Sequence, residues 1–409
     1  MNEKYLALGE ELDPKEYLIC EYTVKSDLDI ETAGQRIAEE ESVGTWTQPT
    51  TLTEDIFEEY GGKVTQAEGN RVKIGYPAVD FSGEFGGIPQ ILSIVAGNLF
   101  GLDSLDGVRL VDIEIPEKIV NNYPGPSLGV DGLRNLLDRP EKPLIGTIVK
   151  PKIGLPPDKF AEYVYEAGKG GLTNSKDDET LVDQDFCPLE ERVSAVSEKL
   201  DVLEEEDHKM IHAHNLSTSP TDILEAADIA LENGARQVMI DVLTVGFSGL
   251  KVLAEDPSVD APIHVHRAMH AAMTKNPEHG ISMSVIAKLV RMAGGDALHV
   301  GTYGVGKMHD EIEEELRSKR ALTGDMHGLK KSMPVSSGGL HPGLVPELIK
   351  SSGMDVQIQA GGGVSGHPDG VRAGATALRQ AVEASFEGID LEEYAEDHTE
   401  LRKALDKWM

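Results

Sequence analysis

From Leu144 onward the hydrophobic pattern of the chain repeats with one rhythm. A short, apolar, β-prone run is followed each time by a stretch with helical apolar spacing. The runs are Leu144 to Lys150, Leu172 to Lys176, Met210 to Asn215, Gln237 to Val242, Ile263 to Arg267, Ala297 to Thr302, Met333 to Ser337 and Val356 to Ala360. Segments such as Pro157 to Ala167, Pro220 to Glu232 and Ser282 to Met292 carry the helical spacing between them. Eight strand–helix units over roughly 250 residues predict a (β/α)8 barrel. The stretch before it reads differently. Tyr17 to Val24, Arg71 to Ile74 and Val108 to Ile115 predict strands, while Glu31 to Glu41 and Pro89 to Phe100 predict helices. Strand and helix do not alternate strictly here, which is the pattern of an α+β domain. The turn-rich Asn121 to Gly129 marks a boundary. The predicted fold class is α/β: an α+β domain over residues 1–125, then a TIM barrel with C-terminal helices over 126–409.

In this fold, chemistry sits at the C-terminal ends of the strands. The runs end on or near polar groups or glycine: Lys150, Lys176, His214 and Asn215, Asp241, His266 and Arg267, His299, Ser337, then Gly361. The strongest of these ends is Lys176-Asp177-Asp178-Glu179. Such a run is usually a solvated face. At a strand end, however, Asp178 and Glu179 can offer the carboxylate oxygens that hard Mg²⁺ requires. Lys150 and Lys152 close the first run. A lysine at a barrel mouth is a Schiff-base nucleophile, a proton carrier or an anion clamp. His264, His266, Arg267 and His270 form H-V-H-R-A-M-H, where the arginine favours anion binding over a histidine metal pair. Gly301 to Lys307 spells a P-loop, but Met308 replaces the Ser or Thr that would bind the metal. A glycine loop that carries one lysine over a substrate is the better description. Ser337-Gly338-Gly339 and Gly361-Gly362-Gly363 follow the seventh and eighth runs, where barrels of this kind bind phosphate. Together these residues describe a cationic, Mg²⁺-bearing pocket for a small bisphosphate, with chemistry at a carbon beside a carbonyl.

Charge sharpens the contrast. The 409 residues carry 38 Lys and Arg against 71 Asp and Glu, a formal net charge of −33. That surface repels nucleic acid and anionic membranes, and it suits a salt-rich cytoplasm where screening is strong. A cationic cluster in such a chain is more telling than usual. The two cysteines, Cys20 and Cys187, form neither a disulfide framework nor a zinc cluster. No signal peptide is read in Met1 to Leu18, and the apolar stretch Ile88 to Phe100 is too short and mixed to span a bilayer. The expected location is the cytoplasm.

Two segments carry a family resemblance: G-T-I-V-K-P-K-I-G-L at 146–155 and G-G-L-T-N-S-K-D-D-E at 170–179. They resemble the signature segments of ribulose-1,5-bisphosphate carboxylase/oxygenase large subunits, and the similarity runs from about Tyr17 to Glu387. The resemblance implies that CO₂ carbamylates Lys176, which resolves a chemical difficulty. An ammonium has donors only, whereas a carbamate is an anionic oxygen ligand. Lys176 carbamate, Asp178 and Glu179 would then hold Mg²⁺. It further implies that Lys150 protonates the product carbanion with Lys152 as its neighbour, and that His266 and Arg267 serve as the family's histidine and phosphate-binding arginine. His299 and Ser337 would contact substrate. Lys307 would be the mobile-loop lysine, and Gly338, Gly339, Gly361 and Gly362 would cradle phosphates. Glu40, Thr45, Trp46 and Asn98 would reach into the barrel of a second subunit.

The implied reaction is carboxylation, and oxygenation by O₂, of ribulose 1,5-bisphosphate through an Mg-stabilised enediolate to 3-phosphoglycerate. The implied assembly is a homodimer or ring of dimers without a small subunit. The shortened ends look like the archaeal form III type, which points to nucleotide salvage, and the charge fits a haloarchaeon. Thr173 and Asn174 depart from the Asp and aromatic usual before the lysine, which puts the packing around Lys176 in question. The rival readings are a carboxylase-like enolase or isomerase acting on a phosphorylated ketose, a metal-free Schiff-base aldolase using Lys150, and a non-catalytic binding barrel.

Overall fold

A computed structural model of the chain describes residues 3–47, 49–83, 85–307 and 311–409. Met308, which separates the Gly301–Lys307 run from a P-loop, lies outside the described residues. In chain order the strands are β1 (Tyr17–Lys25), β2 (Lys63–Glu68), β3 (Arg71–Pro77), β4 (Gly107–Glu114), β5 (Leu144–Ile148), β6 (Asn174–Lys176), β7 (Ile211–Asn215), β8 (Gln237–Asp241), β9 (Ile263–His266), β10 (Gly280–Ile281), β11 (Ala297–His299), β12 (Met333–Ser337) and β13 (Gln357–Gln359). Packing divides the chain into two compact units. One comprises Met1–Tyr123, Met269–Leu289 and Asp325–Gly328; the other comprises Pro124–Ala268, Val290–Gly324 and Leu329–Met409.

The first unit is built on a five-stranded sheet of order β10-β4-β1-β3-β2. Strand β1 alternates partly buried and buried positions, so Leu18, Cys20, Tyr22 and Val24 share one covered face. The helix Ile30–Glu40 is capped by Asp29, whose carboxylate accepts from the Thr32 amide at 2.9 Å. It buries Ala33, Gly34, Ile37 and Ala38. Gly34 permits the close approach, since a Cβ there would lie 3.0 Å from Val72 and 3.2 Å from Val64. The expected helix over Pro89 to Phe100 is shorter, Gly87–Val95, with a separate turn at Leu99–Gly101. The reason is competition for its backbone. The Tyr22 hydroxyl donates to the Val95 carbonyl at 2.7 Å, and the Gly97 and Leu99 amides bond Glu41 instead of continuing the helix. The edge strand β2 went unpredicted because only Val64 in it is buried, so it carries almost no apolar signal. The stretch 269–289 joins this unit through Arg109, which donates to the Thr274 and Asn276 carbonyls at 2.9 and 2.8 Å.

The second unit contains the predicted barrel. Eight parallel strands close in the order β11-β12-β13-β5-β6-β7-β8-β9, with Ala297 of β11 paired to His264 of β9. All eight apolar runs are strands, mostly a residue or two shorter than expected at their ends. The surrounding helices bury one stripe each. In Pro157–Lys169 the stripe is Phe160, Ala161, Tyr163, Val164 and Ala167. Burying side chains the size of Phe160 and Val164 stabilises the unit by about 1.5–3 kcal/mol each. No helix among the described residues is long and apolar enough to cross a membrane.

One buried carboxylate ties the entry of this unit to its strands. Asp296, just before β11, accepts from the Leu128 and Gly129 amides at 2.7 Å each, the Ile263 amide at 2.8 Å and the Ser127 hydroxyl at 3.1 Å. Replacing Asp296 by alanine strands three amides without a partner, a loss of about 3 kcal/mol. The thermal midpoint of Asp296→Ala should fall by roughly 5 °C. A calorimetric midpoint unchanged to within about a degree would show that this carboxylate is not a tie.

Candidate active site

Strand alternation divides the charged run at 176–179. Successive side chains of β6 point to opposite sides, so Ser175 and Asp177 face one way while Asn174 and Lys176 face the other. On the first side Ser175 and Asp177 both bond His212: Ser175 Oγ lies 2.7 Å from Nδ1, and Asp177 Oδ1 lies 2.8 Å from Nε2. Asp177 Oδ2 accepts from Arg192 Nε at 3.2 Å and from the Asn215 amide at 2.8 Å. Asp177, Arg192 and His212 are all fully buried. Burial pushes the Asp177 carboxyl up, but the Arg192 guanidinium and His212 more than offset it and hold the acid well below the usual range. Asp177 is therefore a scaffold group that anchors the loop after β6.

The other residues of the run meet the ends of neighbouring strands. Lys176 is 1 % exposed and donates to the Asp177 carbonyl at 2.8 Å, with its Nζ 3.8 Å from Glu179 Oε2. Burial pushes the Lys176 ammonium down. Lys150 Nζ lies 2.7 Å from Asp178 Oδ2, and Lys152 Nζ lies 3.6 Å from Glu179 Oε1. His266 Nε2 lies 3.7 Å from Glu179 Oε2. Burial alone would raise the Glu179 carboxyl; the charges of His266, Lys176 and Lys152 overcome it and bring it to about 2. Burial also pushes His266 down. Glu179 is thus an ionised oxygen donor, and Asp178 stands beside it against Lys150. Thr173 settles the local packing in its own way: its hydroxyl bonds both the amide and the carbonyl of Ile145, at 3.1 and 3.0 Å.

The remaining predicted residues of this unit lie at the same strand ends. Ser337 Oγ is 2.6 Å from His299 Nδ1, and His299 Nε2 is 2.8 Å from His264 Nε2. Arg267 is buried, and its charge reaches Tyr303. A Cβ on Gly361 would come 3.2 Å from Lys150 Cε, so this glycine gives the lysine room. The Lys307 amide bonds the Gly338 carbonyl at 3.1 Å, and a Cβ on Gly339 would collide with Lys307. The glycine loop before it is held by buried Glu315, which accepts from the Thr302 and Gly304 amides at 3.1 Å each. Gly362 opens the short helix Gly362–Ser365. In the first unit, Asn98 Nδ2 donates to Glu40 Oε1 at 3.2 Å. Thr45 is half-buried on the connection after that helix, and Trp46 is 89 % exposed.

Two groups of side chains have donor sets that a metal could use. Asp177, His212 and His214 offer ligand atoms within 4.8 Å of one another, all buried. Asp177 is already saturated by Arg192, His212 and a backbone amide, and a cation there would sit against the guanidinium. The second set, Asp178, Glu179 and Lys176, fits a hard cation once the lysine carries a carbamate. Asp241 was overlooked as a partner in the site. Its Oδ2 lies 3.2 Å from His266 Nδ1. The Ala268 amide is near both, 3.1 Å from that oxygen and 3.2 Å from the ring nitrogen. These contacts hold the ring by Nδ1, so that Nε2 is turned to Glu179. The signal was its place at the end of a strand.

A closed barrel with lysines, carboxylates and histidine gathered at its strand ends defines a TIM-barrel enzyme with a lysine–carboxylate centre. The family pattern described as ribulose bisphosphate carboxylase large chain, catalytic domain, matches residues 129–408, and the corresponding N-terminal domain matches residues 8–119. The chain is 43 % identical over 401 residues to the ribulose bisphosphate carboxylase of Pyrococcus furiosus, covering 96 % of this chain and 94 % of that protein. It is 41 % identical to that of Methanocaldococcus jannaschii, covering 99 % of each. The crystal structure of octameric Rubisco from Pyrococcus horikoshii superposes with a TM-score of 0.92 at 40 % identity, covering 98 % of this chain and 96 % of that one. The dimeric archaeal Rubisco of Hyperthermus butylicus gives 0.89 at 36 %, covering 99 % and 98 %. This chain belongs to the ribulose bisphosphate carboxylase large-chain family.

The Asp241 contact generates a test. Asp241→Ala frees the His266 ring to turn, and turnover should fall roughly 10- to 100-fold, with Asp241→Asn between it and the parent. Equal kcat for Asp241→Ala and the parent would remove Asp241 from the site.

Proposed function

We propose that this chain carboxylates ribulose 1,5-bisphosphate at the centre formed by Lys176, Asp178 and Glu179. The observation that carries this reading is the convergence of a buried lysine and two carboxyl groups with Lys150, Lys152 and His266 at one set of strand ends. Burial favours the neutral Lys176 amine, which is the form that attacks CO₂. The attack forms a C–N bond and releases one proton, leaving an anionic oxygen beside Asp178 and Glu179. These three groups would hold Mg²⁺, which supplies charge stabilisation for an enediolate when bound.

The chain's own groups do the rest. The Lys176 carbamate takes the C3 proton that begins enolisation. Lys150, held 2.7 Å from Asp178, is a cation at the reacting centre and delivers the proton to the product carbanion. His266, its Nδ1 fixed by Asp241, keeps Nε2 for proton exchange. Arg267, Lys307 and the turns at Gly338–Gly339 and Gly361–Gly362 take the two phosphates, with His299 and Ser337 contacting the sugar. Oxygenation follows from the same intermediate, because an enediolate open to CO₂ is open to O₂. Glu40, Thr45, Trp46 and Asn98 serve the barrel of a second copy, so the smallest working unit is a homodimer. The relatives with solved structures are described as octameric and dimeric, which supports a homo-oligomer.

Fixation of ¹⁴CO₂ into acid-stable product, with ribulose 1,5-bisphosphate and Mg²⁺ at high salt, tests the reaction. The parent should fix label, and Lys176→Ala or chelation of Mg²⁺ should abolish it. Enolisation of the substrate without fixed label would favour the enolase reading instead. Assembly has its own test. Mixing Asn98→Ala with Lys176→Ala protein should restore part of the activity, because hybrid dimers contain one intact site. Hybrids shown to form but remaining inactive would argue that each chain holds a complete site.

A further inference from the structure

Glu41 lies beside the residues read as serving the second copy's site, but nothing above assigns it a part in them. It follows the helix Ile30–Glu40 as its C-cap and is 6 % exposed. Its two oxygens are both spent on one short segment. Oε1 accepts from the Leu99 amide at 2.6 Å, and Oε2 accepts from the Gly97 amide at 3.1 Å. Between those amides stands Asn98, whose side chain donates to Glu40 at 3.2 Å. Two successive acids therefore hold three successive residues. Glu41 takes the backbone on either side of Asn98, and Glu40 takes its side chain.

The segment is shaped to receive Glu41. A Cβ on Gly97 would lie 2.3 Å from the Ser93 carbonyl oxygen and 2.6 Å from Glu41 Oε2, so only glycine fits between the helix end and the carboxylate. The helix before it stops at Val95, where the buried Tyr22 hydroxyl takes the last carbonyl. Leu99 is fully buried and pins the far side. Among the described residues Glu41 has no ion-pair partner. Burial pushes its carboxyl up to about 7, with the Leu99 and Gly97 amides pulling the other way. A carboxylate buried without a cation is costly, and packing alone would be served by an apolar side chain. What the carboxylate supplies, and an apolar residue cannot, is a pair of acceptors spaced for two amides.

We propose that Glu41 is a positioning residue for the reaction: it fixes the Gly97–Leu99 backbone so that Asn98 and Glu40 are presented as one unit to the substrate. The inference rests on the reading of Glu40 and Asn98 as substrate-side groups. Glu41 itself touches no reacting atom in this arrangement. Glu41→Gln keeps the size and one acceptor but turns a carboxamide NH₂, a donor, toward the second backbone amide. Glu41→Ala removes both acceptors.

The test is a double-mutant cycle in the full-length oligomer. Activity is measured for the parent, Glu41→Gln, Asn98→Ala and the double variant, and amide hydrogen exchange is followed over residues 96–100. Glu41→Gln should lower kcat roughly ten- to a hundredfold, the scale for a misplaced catalytic group, with little change in KM. Exchange at Gly97 and Leu99 should quicken by a similar factor. Glu41→Ala should be worse in both respects, or fail to fold, in which case the glutamine variant carries the test. In the Asn98→Ala background Glu41→Gln should cost almost nothing, because its effect passes through Asn98. A merely structural residue would cost the same factor in both backgrounds, and that outcome, or unchanged exchange, overturns the proposal. Full turnover in Asn98→Ala would instead sink the reading of Asn98, and the inference with it. Loss of turnover in Asn98→Ala combined with additivity would sink the inference alone.

Discussion

The site depends first on the buried ion pair between Asp177 and Arg192. Both groups are removed from water, and the geometry is good enough to keep the carboxylate ionised: two nitrogens of the guanidinium on one oxygen, His212 on the other, and a backbone amide completing the shell. A buried pair of this kind adds little net stability, since desolvation consumes most of the attraction, but removing one partner is severe. Its value lies in geometry. The pair fixes residue 177 on the outer side of the strand end, and alternation then delivers Lys176 to the opposite side, with the loop carrying Asp178 and Glu179 toward Lys150, Lys152 and His266. If Asp177 were free to turn inward, three carboxylates would crowd the lysine and the donor set would lose its definition.

The fold was largely legible in the sequence because the barrel writes itself as a repeat. Eight apolar runs with polar endings survive errors of a residue or two at each boundary, since the position of the ending matters more than its length. The first unit was less legible. Its β2 strand carries a single buried residue, and its helix Gly87–Val95 stops early because side chains distant in sequence, Tyr22 and Glu41, take the backbone groups that would have extended it. Local periodicity contains no information about such competitors. The site was legible in the same uneven way. Lysines and carboxylates at strand ends announce themselves by charge, whereas Asp177, Asp241 and Glu41 act through one or two hydrogen bonds to partners that only the folded chain brings near. In the run 176–179 the sequence singles out Asp178 and Glu179 as metal donors but gives Asp177 no part; strand alternation, which turns Asp177 away from Lys176, shows what that residue does.

Electrostatics give the arrangement its contrast. The chain as a whole carries a formal charge of −33, yet Lys150, Lys152 and Lys176 gather around two carboxylates, with Arg267 and Lys307 as further cations of the same unit. Distant acids are screened by salt, whereas the groups at the strand ends, partly or fully buried, interact with little screening. The strand ends thus set a local field opposite in sign to that of the chain as a whole, which suits the bisphosphate substrate proposed above. The same contrast acts on Glu179: the charges of His266, Lys176 and Lys152 hold its carboxyl below the usual range.

A single device recurs at five places among the described residues. Asp296 accepts from the amides of Leu128, Gly129 and Ile263. Glu315 accepts from those of Thr302 and Gly304, Asp177 from Asn215, Asp241 from Ala268, and Glu41 from Gly97 and Leu99. Loop amides lack the ladder partners that strands provide, and each needs an acceptor if it is buried. A carboxylate offers two oxygens with several lone pairs, so one side chain can satisfy two or three amides and set their spacing. The amides in turn make the burial of the charge tolerable, and this reciprocity explains how so acidic a chain places acids in its interior. In three of the five cases, Glu315, Asp241 and Glu41, the segment so held carries or adjoins a residue proposed to serve the substrate. Rigid elements set the mouth of the barrel, and buried carboxylates set the loops around it.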